Sequence, residues 1–404
     1  MSVPELRFKR FTSDWATSTI GEVASVTSGG TPSRDKKEYW NGDIPWVTTS
    51  EIKYKNIFDS KEKITAEGLR NSSAKLFKPG TILMALYGQG NTRGHVAKLQ
   101  IEAATNQACA AITPSKTVDV DFLFQYLIRQ YEEIRGMSND GGQKNLSGAI
   151  VKSINLHFPE MAEQQKIASY LLKVDQKISL LTEKHKLLLQ YKKGVMQKIF
   201  NQEIRFKDKD GKDFPEWDSC LLKDKVSKIG SGGTPKSTNA SFYGGSIPWV
   251  SIADMTEQGK YINSTKKTLS VDGLKNSSAK LFPAGIILYA MYASIGECSI
   301  ANVDVTTSQA ILGIQVKDKE LDSIFLFHWL SSIKDRVVLM GQQGAQSNLN
   351  LEIVKNFELE FPCIEEQRLI RKFLDVLDKK ISSLDKNIQQ VKQYKQGLLQ
   401  QMFI

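Results

Sequence analysis

The sequence has few cysteines and histidines, and this limits the redox and metal chemistry open to it. Its 404 residues include four cysteines and four histidines. The cysteines are Cys109, Cys220, Cys298 and Cys363. No two of them stand at C-x-x-C spacing, so the pattern predicts neither a zinc site nor a disulfide framework. The histidines are scattered along the chain, which argues against a metal-dependent nuclease and predicts that the chain binds no metal.

Long apolar segments are also missing. The longest apolar run, IILYAMYA at 286–293, has the length of a β-strand and is far shorter than the ~20 residues of a membrane span. The first residues, MSVPELRFKRF, lack the apolar stretch of a signal peptide. We therefore expect a cytoplasmic protein that does not contact a membrane.

The phosphate-binding motifs of nucleotide-dependent enzymes are missing as well. The stretch GQGNTRG at 88–94 has the spacing G-x-G-x-x-x-G, one residue longer than the dinucleotide fingerprint. No G-x-x-x-x-G-K-[ST] motif occurs. The sequence therefore predicts no catalytic residue and a protein that is not itself an enzyme.

Positive charge is in excess. The chain has 54 lysines and arginines against 44 acidic residues, for a formal net charge of +10 at pH 7. Such an excess favours polyanionic partners, nucleic acid first, although a merely basic globular protein would have the same charge. With 41% hydrophobic residues, the chain can form more than one core.

The main positive feature is a duplication. Residues 28–47 read SGGTPSRDKKEYWNGDIPWV, and residues 231–250 read SGGTPKSTNASFYGGSIPWV. The sequence NSSAKLF at 71–77 recurs at 276–282, and TNQA of the first copy returns as TSQA in the second. The repeat is about half of the chain, far too long for a solenoid unit, so the sequence indicates two copies of one module.

Each module ends in a long helix whose apolar residues alternate at steps of four and three, the seam of a coiled coil. The seam residues include Ile167, Leu171, Val174, Ile178, Leu181 and Leu188 in the first copy, and Ile370, Leu374, Leu377, Ile381, Leu384 and Val391 in the second. His185, Lys192 and Lys395 occupy polar seam positions. We expect two helices of about 37 residues, ~55 Å each, packed antiparallel on one another rather than separately on a core.

The rest of each module is of mixed type. TILMAL at 81–86 and GIILYAMY at 285–292 are typical of buried strands. The stretches 121–135 and 321–337 have helical spacing, and each has an Asp near its start as a possible N-cap. The sequence therefore predicts two domains of the α/β or α+β class.

The residues that the two copies share predict a scaffold. The Gly-Gly pair of SGGTP allows positive φ or a close approach of two backbones, and the following proline fixes the exit direction. Trp46 and Trp249 supply large apolar anchors. None of these residues performs acid–base or nucleophilic chemistry, so we interpret them as structural.

The residues that change lie in three pairs of loops. The pairs are 34–43 with 236–246, 86–95 with 291–300, and 141–147 with 344–350. Arginine recognises guanine edges, and glutamine or asparagine adenine edges, by two hydrogen bonds each. The candidate DNA-contacting residues are Arg34, Lys36, Lys37, Gln89, Asn91, Thr92, Arg93, Gln143, Lys144, Lys236, Ser237, Thr238, Tyr292, Ser294, Gln346 and Asn348. One scaffold with two sets of loops predicts two domains that read two different short sequences.

These motifs together resemble a known family, the specificity subunits of type I restriction–modification enzymes. The resemblance rests on SGGTP…IPWV, NSSAKLF followed by PGTIL, TNQA, and FPEMAEQQKIASYL with DQKI. The second copy matches with FPCIEEQRLIRKFL and DKKI, and YKKGVMQKIF and YKQGLLQQMF complete the pattern. The likeness covers nearly the whole chain in the family's order, with FPCI and PAG in the second copy as minor departures from FPEM and KPG.

The resemblance implies an architecture with approximate two-fold symmetry. Two α/β (α+β) target-recognition domains, at about 1–157 and 203–360, would be separated by two long antiparallel coiled-coil helices at about 158–202 and 361–404. We call these domains the first head and the second head. The N-terminal segment would then lie near the C-terminal helix.

The resemblance also implies a function. The chain would be a non-catalytic subunit that reads a bipartite, asymmetric site in double-stranded DNA, one half per head. Its helices would dock two methyltransferase subunits that carry S-adenosylmethionine and methylate adenine. Restriction subunits would cleave DNA with ATP and Mg²⁺, and none of these cofactors would be bound by this chain. The alternative is a non-catalytic assembly scaffold whose heads bind protein or RNA.

The adenine methyltransferases themselves hold the flipped base with a loop of the form [DN]-P-P-[YFW]. In this chain the proline–aromatic pair stands in IPW, without the acid or amide. The resemblance therefore implies that methylation belongs to the partner subunits.

Overall fold

A computed structural model describes residues 3–88, 91–137, 145–317, 319–343 and 349–404. The chain forms two compact units, one of residues 1–182 with 386–404 and the other of residues 183–385. The first head belongs to the first unit and the second head to the second unit. Each unit also contains part of both long helices.

The first head is built on a five-stranded sheet in the order β2-β10-β7-β8-β4. Its elements are β1 (Ala16–Thr19), α1 (Ile20–Val23), β2 (Ala24–Ser28), β3 (Trp40–Val47), β4 (Asn56–Ile57), β5 (Glu62–Ile64), α2 (Ala66–Arg70), β6 (Leu76–Phe77), β7 (Ile82–Ala85), β8 (Val96–Leu99), β9 (Ala103–Thr105), β10 (Cys109–Pro114), α3 (Val120–Arg129), α4 (Tyr131–Gly136), α5 (Gly148–Ser153) and β11 (Asn155–Phe158). Ile112 of β10 lies opposite Val26 on one side and Ile82 on the other, both antiparallel. A smaller sheet has the order β5-β3-β9-β6, and β1 pairs with β11.

The second head repeats this arrangement, with a five-stranded sheet in the order β13-β20-β17-β18-β15. Its elements are β12 (Asp218–Leu221), α7 (Leu222–Lys225), β13 (Val226–Ser231), β14 (Tyr243–Val250), α8 (Ile252–Gln258), β15 (Tyr261–Ile262), β16 (Lys267–Leu269), α9 (Val271–Lys275), β17 (Ile287–Ala290), β18 (Cys298–Ala301), β19 (Thr306–Thr307), β20 (Ile311–Val316), α10 (Ser323–Ser332), α11 (Lys334–Gln343), α12 (Leu351–Lys355) and β21 (Glu358–Phe361). Ile314 lies opposite Ile287, as Ile112 lies opposite Ile82. Two mixed α/β copies of one fold are therefore present, as the sequence predicts.

The two apolar runs TILMAL and GIILYAMY form the central strands β7 and β17. Every residue of both strands is buried, because each strand has a neighbour on both edges and packing on both faces. A strand covered in this way needs a continuous apolar run rather than an alternating one. The prediction of buried strands is confirmed.

The two helical stretches are each broken into two helices. In the first head, α3 ends before Gln130 and α4 begins at Tyr131; in the second, α10 ends before Ile333 and α11 begins at Lys334. Asp322 caps α10 as expected, its carboxylate accepting from the Ile324 and Phe325 amides. In the first head the cap is Asp119, which lies just before the quoted stretch.

The long helices are α6 (Met161–Phe200), of 40 residues, and α13 (Ile364–Met402), of 39 residues. Within the first unit, Ile167, Leu171 and Val174 of α6 share a core with Leu398 and Met402 of α13. Within the second unit, Met196 and Ile199 share a core with Ile370, Leu374 and Leu377. Since the start of each helix meets the end of the other, they run antiparallel inside each unit.

None of the proposed seam residues is fully exposed. Ile167, Leu171, Val174, Ile370, Leu374 and Leu377 are buried, and Ile178, Leu181, Leu188, Ile381, Leu384 and Val391 are half-buried. His185 is also half-buried. Among the described residues, no helix combines the length and apolar character that a membrane crossing requires.

Candidate nucleic-acid interface

In each head the SGGTP turn packs against other backbone at its two glycines. A Cβ atom on Gly29 would overlap the carbonyl of Thr105, and one on Gly30 would overlap Ser73. Trp46 Nε1 donates to the carbonyl of Gly30 at 3.0 Å. Neither glycine has a positive φ, so close approach is what requires glycine here.

The second head repeats the same contacts. A Cβ atom on Gly232 would overlap Thr307, and one on Gly233 would overlap Ser278. Trp249 Nε1 donates to the carbonyl of Gly233 at 3.1 Å. The shared motifs SGGTP, NSSAKLF, TNQA and IPWV therefore converge at one place in each head, and the interpretation of the glycines and tryptophans as scaffold agrees with these contacts.

Exposed polar side chains of the same motifs surround the turn. Thr31 Oγ1 donates to Gln107 Oε1, and Thr234 Oγ1 donates to Gln309 Oε1 at the equivalent place. Both glutamines are exposed. The two heads thus present the same hydroxyl–amide pair on their surfaces.

Each head also presents one exposed lysine of NSSAKLF beside the turn. Lys75 stands two residues after Ser73, which contacts Gly30, and Lys280 stands at the equivalent position. Within the described ranges, neither lysine has a hydrogen-bond or ion-pair partner. These ammonium groups are therefore available to a ligand in both heads.

The first variable loop of the first head is organised around Arg34. Its guanidinium lies 3.7 Å from the centroid of the Trp40 ring, and Nη1 and Nη2 donate to the two oxygens of Glu62 at 2.8 and 2.9 Å. The hydrogen bonds raise the pKa of Arg34 and lower that of Glu62. All of these groups are at least partly exposed, so Arg34 is held in position at the surface.

The same loop contains Lys36 and Lys37, two and three residues after Arg34. Lys36 Nζ donates to Tyr39 Oη at 3.0 Å, and this bond raises the pKa of Lys36. Lys37 begins a short 3₁₀ helix and is exposed.

The equivalent loop of the second head has no guanidinium and no ring-stacked cation. Lys236, Ser237 and Thr238 are exposed, without side-chain partners in the part of the chain that the structure describes. Tyr243, which stands where Trp40 stands in the first head, donates from Oη to the carbonyl of Pro235 at 2.7 Å. The same position thus supports two chemically different loops.

The second variable loop connects β7 to β8 and β17 to β18. Asn91 is exposed and Thr92 is half-buried, while Arg93 Nη2 donates to the carbonyl of Arg135 at 2.8 Å. Tyr292 and Ser294 are half-buried, and Tyr292 packs on the core of the second unit. The candidates Gln89, Gln143, Lys144, Gln346 and Asn348 lie outside the described residues.

Tyr131 and Lys334 are not among the candidate residues predicted from the sequence. These equivalent residues begin α4 and α11, and each contacts the second variable loop of its own head. No local sequence signal marks them, because the helix breaks that position them contain neither glycine nor proline.

A cluster of charged groups joins the second head to α13. Lys260 Nζ lies 2.6 Å from Asp375 Oδ1 and 2.8 Å from Asp378 Oδ2, and Lys192 Nζ lies 2.5 Å from Asp378. His328 Nε2 lies 3.6 Å from Asp375. Burial raises the pKa of Asp375, but the neighbouring His328 and the hydrogen bond from Lys260 outweigh it and hold that pKa well below its ordinary value.

His328 and the two aspartates have ligand atoms close enough to hold a metal ion. The Lys260 ammonium lies between the carboxylates and neutralises them, so a cation is already supplied by the chain itself. Burial also lowers the pKa of His328, which favours its neutral form. The donor set is therefore that of a structural ion-pair network.

Comparison with known proteins gives one family. The family described as "Type I restriction modification DNA specificity domain" matches residues 12–190 and 215–393. The type I restriction enzyme MjaIX specificity subunit of Methanocaldococcus jannaschii is 25% identical over 411 residues, covering 96% of this chain and 92% of that protein.

Two solved structures share the fold. The S subunit of a type I restriction–modification system from M. genitalium has a TM-score of 0.60 at 14% identity, covering 100% of this chain and 99% of that one. A chain from a study of complex assembly and conformational transition in the type I system has a TM-score of 0.61 at 17% identity, with 97% and 98% coverage. Because the family matches both copies and most of the chain, this protein belongs to the type I restriction–modification DNA specificity family.

Proposed function

We propose that the chain reads a bipartite, asymmetric site in double-stranded DNA for a type I restriction–modification complex, with one half-site read by each head. The observation that carries this proposal is the pair of heads itself. They share strand order, turn contacts and exposed polar pairs, yet their loops 34–43 and 236–246 differ in charge and in side-chain chemistry. Different loops on one scaffold favour different bases in the two half-sites.

Base recognition is assigned to the variable loops. Glu62 accepts one hydrogen bond from Nη1 and one from Nη2 of Arg34. The other N–H groups of the guanidinium remain able to donate to a base edge. The stack on Trp40 fixes the plane of those donors before DNA arrives, which reduces the entropy lost on binding. The second head has Lys236, Ser237 and Thr238 in the corresponding loop and would read its half-site with smaller groups.

Phosphate contacts are assigned to the exposed residues that both heads share. Lys75 and Lys280, with the threonine–glutamine pairs beside them, are the same in both heads. Two different half-sites have different base edges but the same phosphodiester backbone. Residues common to both heads therefore suit contacts that position the DNA without reading it.

Docking of two methyltransferase subunits is assigned to the long helices. These helices expose apolar side chains away from their seam, namely Leu180, Leu187, Leu189, Tyr191, Val376 and Tyr394. Exposed apolar groups of this kind favour a protein partner. The partner would bind S-adenosylmethionine and flip the adenine out of the duplex, and restriction subunits would use ATP and Mg²⁺.

The test exchanges loops and maps methylation. Replacing 34–43 and 86–95 by the loops of a relative with another target should change one half of the methylated motif and leave the other half unchanged. Replacing 236–246 and 291–300 should have the converse effect, and this second exchange is the matched control. A change in both halves after either exchange would contradict the assignment of one half-site to each head.

Measuring the binding of duplex DNA at several salt concentrations distinguishes this function from the alternative, a scaffold that binds protein or RNA. For a complex that contacts several phosphates, the logarithm of the binding constant should fall by about 0.9 per contact for each logarithmic unit of salt. Binding of duplex DNA that is weak and independent of salt, with the partner subunits present, would support the scaffold instead.

A further inference from the structure

We propose that Tyr131 in the first head and Lys334 in the second are positioning residues for the second variable loop of each head, acting through unlike chemistry. The proposal rests on the proposed function, because it concerns how the loops that face DNA are held. It assigns to these two side chains the role of fixing the loop backbone, and no contact with DNA.

The two residues are structurally equivalent. Each follows the break between two helices and begins the second of them, α4 or α11. The loops they face are closed by equivalent backbone hydrogen bonds. The Gly94 amide donates to the carbonyl of Ala85 at 2.9 Å, and the Gly296 amide donates to that of Ala290 at 3.0 Å. The connection from β7 to β8 has ten residues, 86–95, and the connection from β17 to β18 has seven, 291–297. The loops therefore differ in length and sequence but are closed in the same way.

In the first head the anchor is a tyrosine that combines a hydrogen bond with ring packing. Tyr131 Oη donates to the carbonyl of Asn91 at 2.7 Å. Its ring centroid lies 5.2 Å from that of His95 and 5.8 Å from that of Tyr54, and the last two lie 4.4 Å apart. Burial lowers the pKa of His95 and favours its neutral form, and the Arg135 guanidinium lies 5.9 Å from the Tyr131 ring centroid. Asn91 directly precedes the candidate Thr92, and fixing its carbonyl fixes the path of the loop.

In the second head the anchor is an ion pair. Lys334 Nζ donates to Glu297 Oε2 at 2.5 Å, and Glu297 stands where His95 stands in the first head. The two side chains are 40% and 25% exposed, so solvent and salt screen the pair in part. The hydrogen bond from Tyr131 to the Asn91 carbonyl joins two neutral groups and is screened less by salt.

A glycine with positive φ lies against each anchor. Gly94 has φ +84° and Gly296 has φ +78°. A Cβ on Gly94 would lie 3.5 Å from the Tyr131 ring, and one on Gly296 would lie 3.0 Å from Lys334 Cγ. Each loop therefore ends in a turn that is packed directly on the anchor, and loss of the anchor frees that turn.

The experiment uses the complete complex with its methyltransferase subunits. Methylation rates are measured on the cognate site and on sites with one base changed in either half. Tyr131→Phe keeps the ring and removes the hydroxyl. We expect discrimination against changed bases in the first half-site to fall by about fivefold, the effect of one lost hydrogen bond. Discrimination in the second half-site should be unchanged.

The second head allows a charge exchange. Lys334→Glu and Glu297→Lys should each reduce discrimination in the second half-site alone. The double variant carries the pair in reverse and should restore most of it. Lys225→Glu is the control, because it breaks the Lys225–Glu320 pair of the same head at a place away from the loop. It should leave discrimination in both half-sites unchanged.

The outcomes separate the two proposals. If the wild-type complex does not discriminate in either half-site, the proposed function fails. If the wild type discriminates but the single variants alter both half-sites equally, or neither, the positioning role is overturned. The positioning role is also overturned if the reversed pair restores nothing although both single variants lose discrimination.

Discussion

Lys395 of α13 forms an ion pair with Asp175 of α6, with 2.7 Å between Nζ and Oδ1. The equivalent pair in the second unit joins Lys192 of α6 to Asp378 of α13 at 2.5 Å. Each lysine stands at a polar position of an otherwise apolar seam, and each finds a carboxylate on the other helix. Since a helix shifted by one turn would leave these charges unpaired, the two pairs favour one antiparallel register.

Replacing one member of such a pair should lower the free energy of unfolding more than replacing both members. Lys395→Leu removes the ammonium from Asp175, and among the described residues the amide of Gln125 remains as its partner. We expect a loss of about 1–2 kcal/mol in the free energy of unfolding, less than for a fully buried pair because Asp175 is partly exposed. Lys395→Leu combined with Asp175→Leu should recover most of this loss. Urea denaturation measures both, and equal stability of single variant and wild type would contradict a role for the pair.

The equivalent residues Gln125 and His328 should give the two units different responses to acid. Burial holds the pKa of His328 below its ordinary value of about 6.5. As the pH falls below that value, the unfolded chain takes up a proton that the folded chain does not, and stability falls. We expect the second unit to lose stability as the pH falls from 7 to 5.

The variant His328→Gln should abolish this part of the pH dependence, since Gln125 donates to Asp175 at the same place in the first unit. Gln125→His is the converse control and should introduce the dependence there. Amide hydrogen exchange measured as a function of pH in α10 reports the stability of the second unit, and in α3 that of the first unit. An unchanged slope in both variants would show that neither position is linked to protonation.

The close packing of the SGGTP turn predicts a strong effect of a single methyl group. Gly29→Ala should destabilise the first unit by about 1–3 kcal/mol or more, because backbone rather than a flexible side chain lies in the way. Gly194→Ala is the control, since no atom lies within 4 Å of a Cβ at that helical position. It should stabilise the protein by about 0.5–1 kcal/mol. Thermal unfolding distinguishes the two, and similar effects would contradict the close approach.

The shared lysines predict an effect on DNA binding that does not depend on sequence. Lys75→Ala and Lys280→Ala should each weaken binding of cognate and unrelated DNA alike, and each should lower the salt slope by about one phosphate contact. Lys116→Ala is the matched control. This exposed lysine follows the C-terminal end of β10, whereas the SGGTP turn lies at the N-terminal end of that strand. A change of preferred sequence would instead assign these lysines to base recognition.

Sequence was sufficient where the signal is repeated or periodic. The duplication, the buried strands β7 and β17, and the long helices follow from identical motifs and from apolar spacing. The helix breaks at Gln130 and Ile333 were missed, because neither residue is a glycine or proline that would end a helix. The Asp119 cap was missed because the stretch interpreted as helical begins at Asp121, whereas α3 begins at Val120.

The contacts of the candidate site depend on strands that are distant in sequence. Glu62, which pairs with Arg34, lies on β5, and nothing local connects the two residues. Lys260 reaches Asp375 and Asp378 across more than a hundred residues. Such pairings require the packed sheet and helix, and a single sequence gives only the charges that take part in them.

The ends of the two long helices are held in the same way in the two units. The Leu6 amide donates to the carbonyl of Gln401 at 2.9 Å, as the Ile204 amide donates to that of Lys198 at 3.2 Å on the continuous chain. Phe403 packs on Phe122 with centroids 5.3 Å apart, and Phe200 packs on Phe325 at 5.6 Å. The core of the first unit thus includes the end of α13, and the core of the second unit includes the end of α6. A cut between the two copies would leave each unit without one of the helix ends that form its core.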